Sequence, residues 1–260
     1  MKAAFFKMSG AGNDFVLLNG LPRGRNGAAL AKRLCDRRRG IGADGLLVLS
    51  RRGGRTRLDY WNADGSAAFC GNGTRCAALW AHAQGWTKGK RFLLDTSRGS
   101  LAIRLTARQR AEVGMPEPKG LERHPRLKAL ERMFSVHYIH TGVPHAVVFV
   151  ADVEKIDVKG LGRALRYHEA FGKAGANVDF VQIRDRVVLL RTYERGVEDE
   201  TLACGTGVVA AAAVARAVGK AGDRVTVRVR GGDVLHVSFS RGETRLEGPG
   251  EVVFKGEVNL

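Results

Sequence analysis

The sequence states one short motif twice. FCGNGTRC at residues 69–76 is answered by ACGTG at 203–207, so Cys70-Gly71-Asn72-Gly73 recurs as Cys204-Gly205-Thr206-Gly207, 134 positions on in a chain of 260. Each copy runs into alanine-rich sequence, Ala77-Ala78-Leu79-Trp80-Ala81 and Ala210 to Ala213. Nearly the same offset links Ser9-Gly10 to Thr141-Gly142, Gly42-Ala43-Asp44 to Gly175-Ala176-Asn177, and Tyr60 to Tyr193. Cys-Gly-x-Gly by itself is weak evidence in a chain with 34 glycines, but four pairs in one register are hard to reach by chance. The chain reads as a duplication. It has to fold as two similar lobes, each long enough to bury its own core.

Composition narrows the class. Hydrophobic residues make up 44%, as in soluble globular proteins. No apolar run approaches the roughly 18 residues of a membrane span. MKAAFFKMSGAGND, at the start, meets charge and glycine too soon for a signal peptide. A cytoplasmic protein with no membrane partner is expected. Cys35, Cys70, Cys76 and Cys204 have no disulfide-framework spacing, and no CxxC or HxxxH completes a metal set near them. Free thiols fit, and no metal is expected. The net charge of +17 raises a nucleic-acid reading. The basic residues are spread out, however, and aromatics are only 7%, so stacking platforms are scarce. Arg37-Arg38-Arg39 and the arginines from Arg51 to Arg57 read as solvated helix ends and hairpin tips, and no specific nucleic-acid partner is expected.

Period and punctuation predict many strands and at most two helices per lobe. Strands are expected at 3–8, 14–19, 45–50, 56–62, 91–95, 100–106 and 112–115, with helices over 27–38 and from Thr74 to about Gln84. Residues 116–132, with Pro116, Pro118 and Pro125, read as the lobe connection. Strands follow at 134–140, 145–150, 178–184 and 186–194, with helices over 159–170 and from Thr206 to about Val218. Four closing strands occupy 223–229, 233–240, 243–249 and 251–257. The expected class is α+β, in two pseudo-symmetric lobes. Residues 1–118 carry Cys70 and residues 119–260 carry Cys204, with a C-terminal strand free to cross over.

The two Cys-Gly-x-Gly turns sit at helix starts, where unpaired N–H groups and the positive end of the dipole favour anions. Glycine admits a ligand close to the backbone, and a thiol in such a place is expected to have a lowered pKa. Two thiols on symmetric lobes suit the inversion of a carbon next to a carboxylate. One removes a proton from one face and the other delivers a proton to the opposite face. Converging N–H donors stabilise the carbanion's charge in the carboxylate, and excluding water preserves their strength. A cysteine beside a glycine turn is otherwise a small buried hydrophobe. Cys35, on an apolar helix face, and Cys76, one turn inside its helix, fit that description. Neither turn is a phosphate loop or a dinucleotide fingerprint.

At these residues the chain resembles the diaminopimelate epimerase family, cofactor-independent amino acid epimerases of bacterial and plant lysine biosynthesis. KMSGAGNDFVL (7–17), NADGSAAFCGNGTRC (62–76), TGVPHAVVFV (141–150), GANVDFVQ (175–182) and ERGVEDETLACGTG (194–207) read as family signatures in family order. The resemblance spans the whole chain. It implies lobes that are each a barrel-like, mainly antiparallel sheet around a central helix, with the active site in the cleft between them. It implies Cys70 and Cys204 as the acid–base thiols, and Gly71, Asn72, Gly205 and Thr206 as holders of the α-carboxylate. It further implies Asn13, Asn62, Asn177, Glu194 and Arg195 as substrate contacts. Arg195 is the grip on the distal carboxylate, which a planar guanidinium suits. Glu194 binds an ammonium group or orients a thiol, and His145 partners the first thiol. Val143 is a departure, because many members have Asn there against the substrate's far end.

The expected activity is the reversible interconversion of LL- and meso-diaminopimelate without pyridoxal phosphate, other cofactor or metal, by a chain that pairs as a homodimer. A proline- or histidine-racemase-like enzyme on the same scaffold is the nearest rival. Arg195 and the asparagines, which suit a long substrate with two zwitterionic ends, count against it. A basic nucleic-acid-binding or redox thiol protein is a more distant one.

Overall fold

The computed structural model describes residues 2–240 and 242–260, without the side chain of Arg52. Residues up to Gly114 together with Glu247–Leu260 form one compact unit, and Met115–Leu246 form a second. The first contains β1 (Lys2–Gly10), β2 (Asn13–Asn19), α1 (Gly27–Leu34), β3 (Gly45–Arg52), β4 (Arg55–Asn62), α2 (Gly71–Ala83), β5 (Arg91–Thr96), β6 (Gly99–Ala107) and β7 (Arg110–Met115). In the second lie β8 (Lys119–Ala129), β9 (Arg132–His140), β10 (Pro144–Phe149), α3 (Val158–Arg166), a 3-10 turn at Glu169–Phe171, β11 (Asn177–Arg184), β12 (Val187–Glu194) and β13 (Asp199–Thr201). It continues with α4 (Gly205–Ala217), β14 (Arg224–Val229) and β15 (Val234–Ser240). β16 (Glu243–Pro249) straddles the boundary, and β17 (Glu251–Asn259) closes the chain.

The duplication is written into the hydrogen bonding. In the first unit β17, β1, β2, β3, β4, β5 and β6 pair in that order as antiparallel, antiparallel, parallel, antiparallel, parallel, antiparallel. In the second, β8, β9, β10, β11, β12, β14 and β15 repeat the same succession. β8, from mid-chain, and β17, from the end, therefore fill equivalent places. Because β17 runs along β1, residues 247–260 belong with the first unit, and the division falls after Gly114 rather than at 118.

Burial explains why the central strands carry unbroken apolar runs. Phe15, Val16, Leu17 and Leu18 of β2 and Leu46 to Leu49 of β3 are all buried, because the parallel pair is covered on both faces. Val16, Leu18, Leu46 and Val48 pack with Leu30 and Leu34 of α1. Phe15 and Leu47 face α2 on the other side, where a Cβ on Gly73 would stand 2.9 Å from Leu47 and 3.4 Å from Phe15. The second unit does the same, with Val148, Val178 and Phe180 against Leu161 and Leu165 of α3. α4 packs against β9 to β12, β14 and β15. α2 and α4 are buried on nearly every side, as helices enclosed by a sheet must be. The expected sheet-dominated α+β class, with each sheet wrapped around a central helix, holds.

Local chemistry moves several boundaries. α2 and α4 begin at Gly71 and Gly205, earlier than expected at Thr74 and Thr206, because Cys70 and Cys204 take extended N-cap conformations. α1 ends at Leu34 rather than near 38, because the Asp36 carboxylate takes the N–H groups of Arg38 and Arg39, both at 2.7 Å. Residues 116–132 are mostly β8 and not a connection. Pro125 sits where the β8–β9 register shifts between His124 and Leu127, a place that needs no ladder donor. The short β13 escaped the sequence reading.

Cys35 and Cys76 are the buried hydrophobes expected, at 2% and 0% exposure. Burial pushes both thiols up to about 12 from 9.0. Below that ordinary value they are neutral in the folded and unfolded chain alike, so their contribution is fully present. As pH rises toward about 12, the unfolded chain ionises first and the contribution is lost. Thermal stability should therefore fall across this alkaline window, by up to about 1.4 kcal/mol per pH unit for Cys76. Cys76→Ala, followed by thermal melts across the window, should flatten that slope. An unchanged slope would refute the assignment.

Candidate active site

In the first unit the site residues hang on the start of α2. Cys70 caps the helix, its Sγ accepting the Gly73 N–H at 3.4 Å. The first helical bond runs from the Thr74 N–H to the Cys70 carbonyl at 2.8 Å. Asn72 donates to Asn13 Oδ1 at 2.7 Å and accepts from the fully buried Arg75 at 2.6 Å. Asn13 in turn donates to Asp44 Oδ2 at 2.9 Å. Arg37 bridges Asp14 and Asp44, each at 2.7 Å, so it is more than the solvated charge expected from its cluster. Burial alone would raise the Asp14 carboxyl, but hydrogen bonds from Arg37 and Lys7 hold it down at about 2. Cys70, Gly71, Asn72 and Asn13 are thus brought together. Asn62, whose strand neighbour is Gly45 beside Asp44, turns its side chain to local partners, donating to Ser66 Oγ at 2.9 Å and accepting from Tyr60 at 2.8 Å.

The second unit builds a matching arrangement on α4. Cys204 is 6% exposed and meets the Thr206 hydroxyl at 3.3 Å. Thr141, buried at the end of the β9 turn, donates its hydroxyl to the Thr206 carbonyl at 3.0 Å. Where the first unit pairs Asn13 with Asp44, the second pairs His145 with Asn177, Nε2 to Nδ2 at 3.4 Å. Asn177 Oδ1 also accepts the Arg195 N–H at 2.8 Å, which ties β11 to the turn after β12. Glu194 accepts from the Thr201 hydroxyl of β13 at 2.9 Å. Among the described residues the Arg195 guanidinium enters no ion pair, whereas Arg166, Arg191, Arg216 and Arg230 of the same unit do.

The thiol does not behave as expected from its helix end. Burial pushes the Cys204 thiol well above its usual range, and Glu194 and then Asp179 push it further. The Thr206 hydroxyl and Gly207 N–H offset this only in part. In a fully enclosed site, desolvation of the thiolate outweighs the helix dipole. Cys204 therefore rests as a neutral thiol.

Several residues of these networks went unread in the sequence. Asp44 lay in view, inside the duplicated Gly42-Ala43-Asp44 stretch. Asp179 left one signal, a carboxylate in the otherwise apolar strand NVDFV. Thr141 lay in view as the counterpart of Ser9, whereas the roles of Thr201 and Arg75 arise from neighbours that folding supplies.

The family model for diaminopimelate epimerase matches residues 5–120 and 137–257. A diaminopimelate epimerase of Methanothrix thermoacetophila is 40% identical over 273 residues, covering 98% of this chain and 95% of that protein. One from Aquifex aeolicus is 37% identical over 273 residues, covering 98% and 97%. Among solved structures, a phenazine biosynthesis protein of the PhzF family from Bacillus anthracis superposes with a TM-score of 0.79 at 13% identity, covering 100% of both chains. A probable proline racemase from Agrobacterium radiobacter gives 0.71 at 17% identity, covering 99% and 93%. These last two show a shared fold alone. With a matched family model across nearly its whole length and full-length relatives of this identity, the chain belongs to the diaminopimelate epimerase family.

Proposed function

We propose that the protein is a diaminopimelate epimerase, an isomerase that interconverts LL- and meso-2,6-diaminopimelate in lysine biosynthesis. Cys70 and Cys204 are its two acid–base groups. The observation that carries this reading is the repeated construction. Each unit buries one central helix and starts it at a cysteine, with glycine N–H groups and a hydrogen-bonded polar pair beside it.

The chemistry follows from that construction. A thiolate removes the α-proton from one face of the substrate carbon while a neutral thiol protonates the other face. The departing electron pair moves into the α-carboxylate, which Gly71, Asn72, Gly205 and Thr206 hold at two helix starts whose N–H groups have no partner within the helix. Cys204, kept neutral by burial and two carboxylates, is suited to donate the proton. Cys70 is then the partner that begins as base, with His145 beside it as the family resemblance implies. Glu194 receives the substrate's ammonium group, Arg195 its distal carboxylate, and Asn13, Asn62 and Asn177 orient the chain between them. The reading gives the protein chemistry for these thiols alone, with no cofactor taking a step.

A cytoplasmic location is part of the same reading, supported by four free cysteines, since a reducing compartment keeps thiols free. No helix among the described residues is long and apolar enough to cross a membrane. A homodimer is the proposed assembly. Its support is the run Val252, Val253 and Phe254 on β17, exposed at 47%, 56% and 48%, because contiguous exposed apolar side chains call for cover.

In deuterium oxide, without added cofactor, the wild type should take deuterium into one α-carbon of LL-diaminopimelate and form the meso isomer. Cys70→Ala and Cys204→Ala should each abolish epimerisation. Exchange with another amino acid in place of diaminopimelate would move the substrate to the racemase reading, and no exchange at all would end the epimerase claim. Arg195→Lys should raise KM by roughly tenfold and spare kcat, because uniform binding of the far carboxylate is lost. A fall in kcat at constant KM would place Arg195 elsewhere. Val253→Lys combined with Phe254→Glu should give monomers in sedimentation experiments, and an unchanged mass would exclude β17 as the contact.

A further inference from the structure

The most enclosed charge in the second unit is one that the reaction scheme does not use. Asp179 lies on β11 with no exposed surface, and His145, its neighbour on β10, has none either. Asp179 Oδ2 meets His145 Nδ1 at 2.6 Å, and Oδ1 accepts the Thr192 hydroxyl of β12 at 2.7 Å. The carboxylate also lies against the first turn of α4, since a Cβ on Gly207 would stand 2.5 Å from Oδ1. A full charge is costly to bury, and here it sits under the helix that Cys204 caps.

We propose that Asp179 is a positioning residue of this half-site, whose carboxylate fixes His145 in the tautomer with its proton on Nδ1 and faces Cys204 with negative charge. The inference rests on the reading of Cys204 as an acid–base thiol. An anionic carboxylate only accepts, so at 2.6 Å the proton of the bond belongs to Nδ1 of the imidazole. Nε2 is then a lone-pair acceptor, which suits the Asn177 amide donor 3.4 Å away. The arrangement is that of a base oriented by a buried acid.

The second consequence concerns the thiol. Glu194 on β12 and Asp179 on β11 both disfavour the Cys204 thiolate. The neighbouring His145, on β10, faces Asp179. On α4 itself the Thr206 hydroxyl and the Gly207 N–H favour ionisation. One carboxylate thus readies the imidazole to accept a proton and keeps Cys204 ready to give one. A two-base reaction needs its two partners held in opposite protonation states, and Asp179 serves that need.

Asp179→Asn keeps the shape and removes the charge. The pH dependence of Cys204 alkylation by iodoacetamide, followed by mass spectrometry of its peptide, should move to lower pH in this variant. That readout is independent of turnover. Epimerisation should lose at least about tenfold in kcat with KM little changed, the scale of a lost orienting group in acid–base catalysis. An unmoved alkylation profile would overturn the proposal even in an active enzyme, whereas a moved profile in an enzyme inert toward diaminopimelate would leave it standing and remove the proposed substrate. Thr192→Val breaks a bond to Asp179 but keeps the charge, so it should not lower the profile. An equal fall in both variants would mean a packing effect and refute the role. Should Asp179→Asn fail to fold, nitrogen-15 NMR of the wild type decides. A His145 protonated on Nδ1 is expected, and one protonated on Nε2 refutes the proposal.

Discussion

Burying the start of a helix is the constraint on which both lobes depend. A helix enclosed by a sheet gains apolar contact on every side, yet its first N–H groups lose water and have no partner in the helix. In the first lobe the Cys70 side chain takes the Gly73 N–H, and Gly73 is small enough to press against Leu47 and Phe15. In the second, Gly207 leaves no room for a Cβ over Asp179. The same geometry that lets the helix into the sheet leaves a pocket of donors at its buried end. A ligand carboxylate is the natural occupant of such an end.

Around that shared frame the two halves diverge in charge. The first lobe answers its polar residues with cations, with Arg37 and Lys7 on Asp14 and Arg75 on Asn72. The second keeps two carboxylates, Asp179 and Glu194, near its thiol. Duplicated backbones thus carry unlike charges around equivalent cysteines. That asymmetry is useful to any reaction in which one group starts with the proton and the other without it.

β8 and β17 fill equivalent ends of the two strand orders, β8 directly after β7 in the chain and β17 directly after β16. Pro125 is tolerated in β8 because the ladder is irregular there. The proline content of residues 116–132 had pointed to a connection, since local composition cannot report that a bulge will absorb the missing donor.

The sequence alone determined the duplication, the strand-rich class and the family, because those rest on repeated motifs and on apolar runs that two-faced burial requires. It also exposed Cys70 and Cys204, through the glycines that a close helix start demands. Only the tertiary structure decided the protonation of Cys204, which depends on enclosure and on carboxylates from β11 and β12. It likewise decided the Asp179–His145 bond and the place of β17 beside β1. Motifs are local and can be read in order along the chain. Desolvation and pairing are sums over neighbours that the chain brings together only by folding.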